Sequence, residues 1–155
     1  MAAPGRNPRP QAVLFACGRN SVRSPMAAAL FKQLFRQRAY VASAGVRKGE
    51  VDPFAVTAMD EIGLDIAKHR PMTFEELEDW EGLNFDLIVT LAPEAHHKAL
   101  DLTRTVAADV EYWPTPDPTT TTGNREQQLD AYRGIRDQLL ARIKQRFDWR
   151  PGGNE

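Results

Sequence analysis

The chain contains one cysteine, Cys17, and Arg23 follows it six residues later. A loop of this length can wind round an oxyanion and point its backbone N–H groups inward, with a thiolate below the anion and a guanidinium above it. Such a loop is suited to nucleophilic attack on phosphorus. Besides Arg23, the residues that we expect to line the phosphate are Gly18, Arg19, Asn20, Ser21, Val22 and Ser24.

The segments on either side of this loop predict how it is held. The apolar run 12–16 predicts a buried strand, and Ser24-Pro25 opens a run with apolar residues at helical spacing. The N–H groups of a helix N-terminus and a nearby guanidinium both stabilise a thiolate. A merely buried, inert Cys17 would leave the polar loop and Arg23 unexplained. We therefore expect Cys17 to be the nucleophile and Ser24 to donate a hydrogen bond to it.

The attack also needs an acid for the leaving oxygen and a base to activate water, and one carboxylate can do both. Two Asp-Pro pairs compete for this role. Asp52-Pro53 has the form of a helix N-cap with proline in the first turn. Asp117 follows the fourth predicted strand and has no helix to cap immediately. We therefore assign the acid and base role to Asp117, the alternative being a plain turn aspartate.

Strands and helices alternate along the chain. We predict strands at 12–16, 40–44, 85–91 and 110–113, and helices at 26–35, 53–63, 93–102 and 125–147, with a connector at 73–80 in which Thr73 can cap a helix start. The prolines and threonines after the fourth strand predict a loop. This order predicts an α/β three-layer sandwich with a central four-stranded parallel sheet. Ligands bind such sheets at the carboxyl ends of the strands, where the Cys17 loop would lie.

Composition and charge narrow the class of protein. With 155 residues, 42% of them hydrophobic, one domain at 11–149 is expected, with flexible tails at 1–10 and 150–155. A net charge of -1 provides no basic field for nucleic acid or a membrane surface. No stretch reads as a membrane helix or leader, and a lone thiol fits a reducing compartment. We expect a cytoplasmic protein.

No metal or cofactor is predicted. His96 and His97 are adjacent, so they lie about 100° apart on the predicted helix and cannot converge on one ion, and no other ligands cluster near them. The expected partner is instead a substrate, either a phosphorylated protein or a small phosphate ester.

The chain resembles the low-molecular-weight protein tyrosine phosphatase family, whose fold is shared by thioredoxin-coupled arsenate reductases. The position of the Cys-x5-Arg motif just after the first strand is specific to that family. The matching segments are Val13 to Cys17, Arg23-Ser24-Pro25, Ser43-Ala44-Gly45, Gly63-Leu64-Asp65-Ile66, Phe85-Asp86-Leu87-Ile88 and Asp117-Pro118.

The resemblance implies a phosphomonoester hydrolase, with protein phosphotyrosine as the expected substrate, acting through a cysteinyl-phosphate. It places the nucleophile at Cys17, the phosphate clamp at Arg23 and the acid and base at Asp117. It also implies that the loop is held by an asparagine bonded to a serine and a histidine, and their equivalents in this chain are Asn20, Ser43 and His69.

The chain departs from the family pattern in ways that bear on the substrate. Phosphotyrosine members carry aromatic residues after the Asp-Pro pair and in the loop after the second strand, but here 119–122 are threonines and Arg47, Lys48 and Glu50 occupy the other loop. Val22 stands where many members have a second loop cysteine. A single cysteine also excludes the internal three-cysteine relay of the arsenate reductases.

Two alternatives stay open. An arsenate reductase that uses an external thiol needs only Cys17, and arsenate resembles phosphate in charge and shape. A catalytically weak, phosphate-binding regulatory module would keep the loop without useful turnover. In every case inorganic phosphate or arsenate is an expected loop ligand, and Arg19 lies either at the cleft rim or in solvent.

Overall fold

The structure is a computed structural model that describes residues 9–36 and 38–151. Four strands, β1 (Ala12–Cys17), β2 (Tyr40–Gly45), β3 (Leu87–Thr90) and β4 (Asp109–Tyr112), form a parallel sheet in the order β2-β1-β3-β4. The α-helices are α1 (Arg23–Phe35), α2 (Pro53–Asp60), α3 (Phe74–Glu81), α4 (Pro93–Leu102) and α5 (Arg125–Arg146). The predicted α/β fold with a four-stranded parallel sheet is confirmed.

The alternation of side chains along β1 divides the core into two layers. Val13 and Phe15 point to one face of the sheet and join a cluster with buried residues of α1, α2 and α5. Leu14 and Ala16 point to the other face and pack with α3 and α4. Because successive strand residues face opposite sides, an apolar run without alternation is what a strand covered on both faces requires.

The strand order places the end of β1 at the centre of one sheet edge. The chain leaves β1 towards β2 on one side and reaches β3 on the other, so the crevice beyond the carboxyl end of β1 is a topological switch point. Cys17 is the last residue of β1 and lies opposite Gly45 in the register. The fold therefore puts the candidate nucleophile where parallel sheets bind ligands.

Local signals account for most helix ends. The Asp52 side chain accepts from Phe54 N at 2.8 Å and caps α2. This helix ends at Asp60, three residues before the predicted end. Gly63 adopts a φ of 79°, and Leu64 N then reaches Met59 O at 3.0 Å, closing the helix C-terminus.

The ends of the chain are only partly described. Of the predicted flexible tails, residues 1–8 and 152–155 lie outside the described residues. Within the described ranges, no helix combines the length and the apolar character that crossing a membrane would require.

Candidate active site

The loop between β1 and α1 turns its carbonyl groups outward. The carbonyls of Cys17, Gly18, Arg19 and Ser21 each accept an N–H from the connection between β2 and α2, over distances of 2.9–3.3 Å. No N–H of residues 18–22 donates to another backbone group within the described ranges. Val22, at the N-cap of α1, provides no side-chain cap. The loop and the first turn of α1 can therefore direct their N–H groups to one anion.

Gly45 allows the end of β2 to approach this loop. A Cβ at Gly45 would lie 2.5 Å from the carbonyl oxygen of Arg47 and 2.8 Å from the amide nitrogen of Asn20. Both atoms belong to the backbone and cannot move aside cheaply. A glycine is required here by close packing, since its backbone is that of an ordinary strand residue.

Asn20 holds the loop together from behind. Its φ of 55° lies in the left-handed region, which asparagine tolerates better than most residues. Nδ2 donates to the hydroxyls of Ser24 and Ser43, both at 2.9 Å, and Oδ1 accepts from Met72 N at 2.9 Å. His69 Nε2 lies 3.0 Å from Oδ1 and 3.1 Å from the Asn20 carbonyl.

The hydrogen-bond partners of His69 determine which of its ring nitrogens carries a hydrogen. Both Asn20 oxygens are acceptors, so His69 Nε2 carries the hydrogen and donates it to them. Burial lowers the pKa of His69, although its hydrogen bond to the Asn20 backbone acts in the opposite direction. The structure thus brings Asn20, Ser24, Ser43 and His69 into one cluster, as the resemblance implies.

Ser24 connects this cluster to the sulfur atom. Its hydroxyl accepts from Asn20 Nδ2, which leaves one hydrogen to donate. Cys17 Sγ lies 2.9 Å from the hydroxyl oxygen, whereas the Ala44 carbonyl lies 3.5 Å away. The shorter contact makes the sulfur the better acceptor. The Ser24 hydroxyl can therefore donate a hydrogen bond to the Cys17 sulfur.

Arg23 is positioned by a group that sequence analysis did not identify. Its Nη1 donates to the Thr115 carbonyl at 2.9 Å, and Thr115 N in turn donates to Leu91 O at 3.1 Å. The proline-rich segment after β4 is therefore tied both to Leu91, the residue that follows β3, and to the guanidinium. A backbone carbonyl has no residue-type signature, so no sequence signal marks this contact.

Asp117 lines the same pocket as Cys17 and Arg23. Its local structure corrects one expectation from the sequence. Its side chain caps a short 3₁₀-helix at Pro118–Thr120, in a segment predicted to be loop only. Proline fixes φ at the first helical position, and Thr119 N then donates to Asp117 Oδ1 at 3.0 Å. Burial alone raises the pKa of Asp117, but the Thr119 hydrogen bonds and the charges of Arg23 and Arg19 outweigh it and lower the pKa.

A second aspartate supports the pocket from its wall. Asp52 N donates to the Ser21 carbonyl at 3.1 Å, and the Tyr132 hydroxyl donates to Asp52 Oδ2 at 2.8 Å. Asp52 therefore joins the loop, α2 and α5, which goes beyond the helix cap that sequence analysis assigned to it. Burial, followed by the hydrogen bond to Asp52, raises the pKa of Tyr132 above its ordinary value.

The pocket above the loop has a volume of about 450 Å³ and a charged rim. Arg47 and Glu94 form a bidentate ion pair at 2.6 and 3.0 Å. This pair fills the space above Gly18, where a Cβ would collide with Glu94 Oε1. Arg19 is exposed and lines the pocket, and no aromatic side chain of the described residues does so. The lining residues are Cys17, Gly18, Arg19, Ser21, Val22, Arg23, Arg47, Gly49, Glu50, Val51, Asp52, Pro53, Glu94, Asp117 and Thr119.

The histidine pair is not part of this pocket. His96 is half-buried, with Nδ1 at 3.0 Å from Thr90 Oγ1, and its ring stacks on Tyr112. His97 is exposed. Across 9–36 and 38–151, no group of three or more His, Cys, Asp or Glu side chains is arranged to hold a metal ion.

Comparison with known proteins agrees with this architecture. Residues 12–148 match the family described as low molecular weight phosphotyrosine protein phosphatase. The chain belongs to this family. The match extends from β1 to just beyond α5, so it includes the loop, the sheet and the Asp117 segment.

The proteins similar to this chain include arsenate reductases and a protein tyrosine phosphatase. An arsenate reductase of Bacillus subtilis is 33% identical over 134 residues, which cover 86% of this chain and 92% of that protein. A low molecular weight protein tyrosine phosphatase from T. tengcongensis has a TM-score of 0.71 at 25% identity, covering 89% of this chain and 98% of that one. An arsenate reductase in the phosphate binding state has a TM-score of 0.68 at 27% identity, covering 89% and 97%.

Proposed function

We propose that this protein is a phosphomonoester hydrolase that acts through a cysteinyl-phosphate at Cys17. Its substrate is a phosphorylated protein or a small phosphate ester, and protein phosphotyrosine is the first substrate to test because the family description names it. The mechanism needs Cys17 as a reduced thiolate, so we place the protein in a reducing compartment such as the cytoplasm.

In the first step the Cys17 thiolate attacks phosphorus. A sulfur–phosphorus bond forms as the phosphorus–oxygen bond to the leaving group breaks. The loop N–H groups and the Arg23 guanidinium hold the three remaining phosphoryl oxygens. Asp117 gives its proton to the departing oxygen, which leaves as an alcohol or phenol.

In the second step water attacks the phosphorus of the cysteinyl-phosphate. The Asp117 carboxylate accepts a proton from this water, the sulfur–phosphorus bond breaks, and inorganic phosphate is released. The lowered pKa of Asp117 suits this base role directly. A bound phosphate dianion raises the pKa of a neighbouring carboxylate by like-charge repulsion, which favours the protonated form needed in the first step.

One observation carries this proposal: Cys17, Arg23 and Asp117 line a single pocket. They provide the nucleophile, the cation and the carboxylate in that order. Its volume of about 450 Å³ falls within the usual range of small-molecule sites, roughly 300–1,000 Å³. A phosphoryl group seated in the loop would leave room for the organic part of an ester. A poor leaving group must be protonated as it departs, and the Asp117 carboxyl group lies beside that space.

Arsenate reduction is the second candidate, and the name of the Bacillus subtilis relative favours it. Cys17 would displace water from arsenate to form a sulfur–arsenic bond. An external thiol would then attack Cys17 Sγ, releasing arsenite and leaving a mixed disulfide, which a second external thiol would reduce. Arsenic gains two electrons in this sequence, and the two external thiols are oxidised to one disulfide.

Paired assays separate these candidates. Purified protein is tested on p-nitrophenyl phosphate and on phosphotyrosine, and separately on arsenate with glutathione, beside the variants Cys17→Ala and Asp117→Asn. The proposal predicts hydrolysis that the Cys17→Ala variant lacks. Arsenite formation without hydrolysis would establish the reductase instead. Phosphate binding without either turnover would identify a regulatory binding module.

A further inference from the structure

Two hydrogen bonds meet on one oxygen of Asp117. Thr119 donates to Oδ1 through its backbone N–H at 3.0 Å and through its hydroxyl at 2.6 Å. Oδ2 has no hydrogen-bond partner among the residues that the structure describes. The carboxylate is therefore held asymmetrically, with one oxygen fixed and the other available.

This asymmetry decides which oxygen can carry a proton. Two donors already point at Oδ1, so a proton on that oxygen would displace at least one of these hydrogen bonds or force the side chain to turn. A proton on Oδ2 leaves both bonds intact. The exchangeable proton of Asp117 is thus assigned to Oδ2 by the donors on the opposite oxygen.

The Thr119 hydroxyl can be separated from the fold of this segment. Pro118 is buried, and the Thr120 hydroxyl donates to the Asp117 carbonyl at 3.0 Å, so the backbone has its own anchors. The Thr119 side chain is exposed and lines the pocket. Replacing this hydroxyl should therefore change the carboxylate and leave the 3₁₀-helix in place.

We propose that Thr119 is the positioning residue of Asp117: its two hydrogen bonds hold Oδ1, so that Oδ2 exchanges the proton with the leaving oxygen and with water. This inference rests on the acid and base role that the proposed function gives to Asp117. It assigns a task to a threonine at the position where phosphotyrosine members carry an aromatic residue.

The first test reads Asp117 directly. The carboxyl carbon of Asp117 is titrated by NMR in the wild type, in Thr119→Val, which keeps the shape without a hydroxyl donor, and in Thr119→Ser, which keeps the hydroxyl. One hydrogen bond to a charged group corresponds to roughly one pH unit, so the Asp117 pKa should rise by about one unit in Thr119→Val. Thr119→Ser should restore it. An unchanged pKa in Thr119→Val, or an equal rise in both variants, would overturn the inference.

The second test uses kcat for an alkyl phosphate, because kcat reports the pKa values of the enzyme–substrate complex and this poor leaving group depends on the acid. The basic limb of the pH profile should move up by about one unit in Thr119→Val, return in Thr119→Ser and be absent in Asp117→Asn. If Asp117→Asn keeps the limb and the rate, the proposed role of Asp117 fails, whatever the titration shows. An altered titration with an unmoved limb would overturn the catalytic part of the inference.

Discussion

The bottom of the pocket and its rim are built on different principles. We call the loop 17–24, without the exposed Arg19 side chain, and its supporting side chains Ser43 and His69 the floor, and we call the charged and polar side chains above it the rim. In the floor, every donor and acceptor of the Asn20 side chain is used, and Asn20 and Ser24 have no exposed surface. The rim consists of Arg19, Arg47, Glu50, Glu94, Asp117 and Thr119, all of them exposed except Glu94, which is partly buried.

This difference assigns a separate task to each region. A satisfied network in a low-dielectric setting is rigid and costly to break, so the floor fixes the shape of the loop and the position of the sulfur. Exposed ion pairs contribute only about 0–1 kcal/mol and rearrange easily. Under the proposed mechanism, the rim can therefore accommodate different leaving groups without disturbing the attack on phosphorus.

The largest effect is expected from Cys17 in the floor. Changing Cys17→Ala removes the nucleophile and should lower hydrolysis of p-nitrophenyl phosphate by at least about 10³-fold, because one member of a catalytic unit carries most of its rate. Phosphate binding, measured by calorimetry, should persist because the loop N–H groups and Arg23 remain. A matched rim variant, Arg47→Ala, should keep most of the turnover. Equal losses in the two variants would contradict the division of tasks.

Removal of the Asn20 network should give the largest loss of stability. Asn20→Ala leaves the buried hydrogen-bond partners of Asn20 unsatisfied. It also places an alanine, which tolerates the left-handed region less well than asparagine, at a φ of 55°. Together these effects should lower the free energy of unfolding by about 3 kcal/mol in urea titrations. Asn20→Gly lacks the same hydrogen bonds but has no strain at this φ, so it should be about 1 kcal/mol more stable than Asn20→Ala. Wild-type stability in Asn20→Gly would show that the network contributes little.

Two glycines provide a matched test, because a Cβ at Gly45 would meet backbone of the floor, whereas a Cβ at Gly18 would meet side chains of the rim. Gly45→Ala would press a Cβ onto backbone atoms and should cost about 1–3 kcal/mol. Gly18→Ala would meet only the Glu94 side chain, which can swing aside and give up its ion pair, so the cost should stay below about 1 kcal/mol. Thermal and urea unfolding of both variants measure the contrast. A reversed order would place the rigid packing in the rim.

The smallest effect is a dependence of stability on pH through His69. Its pKa is lowered in the folded protein from an ordinary value of 6.5. As pH falls through 6.5, the unfolded chain takes up a proton that the folded protein resists, so the free energy of unfolding decreases towards pH 5. His69→Gln keeps an N–H donor and lacks the titration, so its unfolding free energy should fall less over this range. Parallel curves for both proteins would exclude His69 as the source.

The sequence allowed much of the floor to be predicted, because its chemistry is local. The Cys-x5-Arg spacing lies between a strand and a helix whose patterns are both clear, and the alternation of elements defines a parallel sheet. The partners of the floor were harder to identify. Met72 N and the Thr115 carbonyl are backbone groups, present at every position, and only the three-dimensional fold brings them to Asn20 and Arg23.

The rim was predicted less completely, for a related reason. Arg47 lies in the loop after β2 and Glu94 lies in α4, 47 positions further along the chain, and nothing in either segment indicates that they pair. The short 3₁₀-helix after Asp117 also has little signal, since three residues provide no periodicity. Expecting Asp117 to have no helix to cap was wrong because Pro118–Thr120 forms a three-residue 3₁₀-helix directly after it.

The central claim is that phosphorus becomes bonded to Cys17. The most direct measurement is a rapid denaturing quench during turnover of p-nitrophenyl phosphate, followed by mass spectrometry of the peptides. A phosphoryl group should appear on the Cys17 peptide, should accumulate further in Asp117→Asn because water is no longer activated, and should be absent in Cys17→Ala. Steady hydrolysis with no phosphoryl group on that peptide, or equal labelling in Cys17→Ala, would contradict the account.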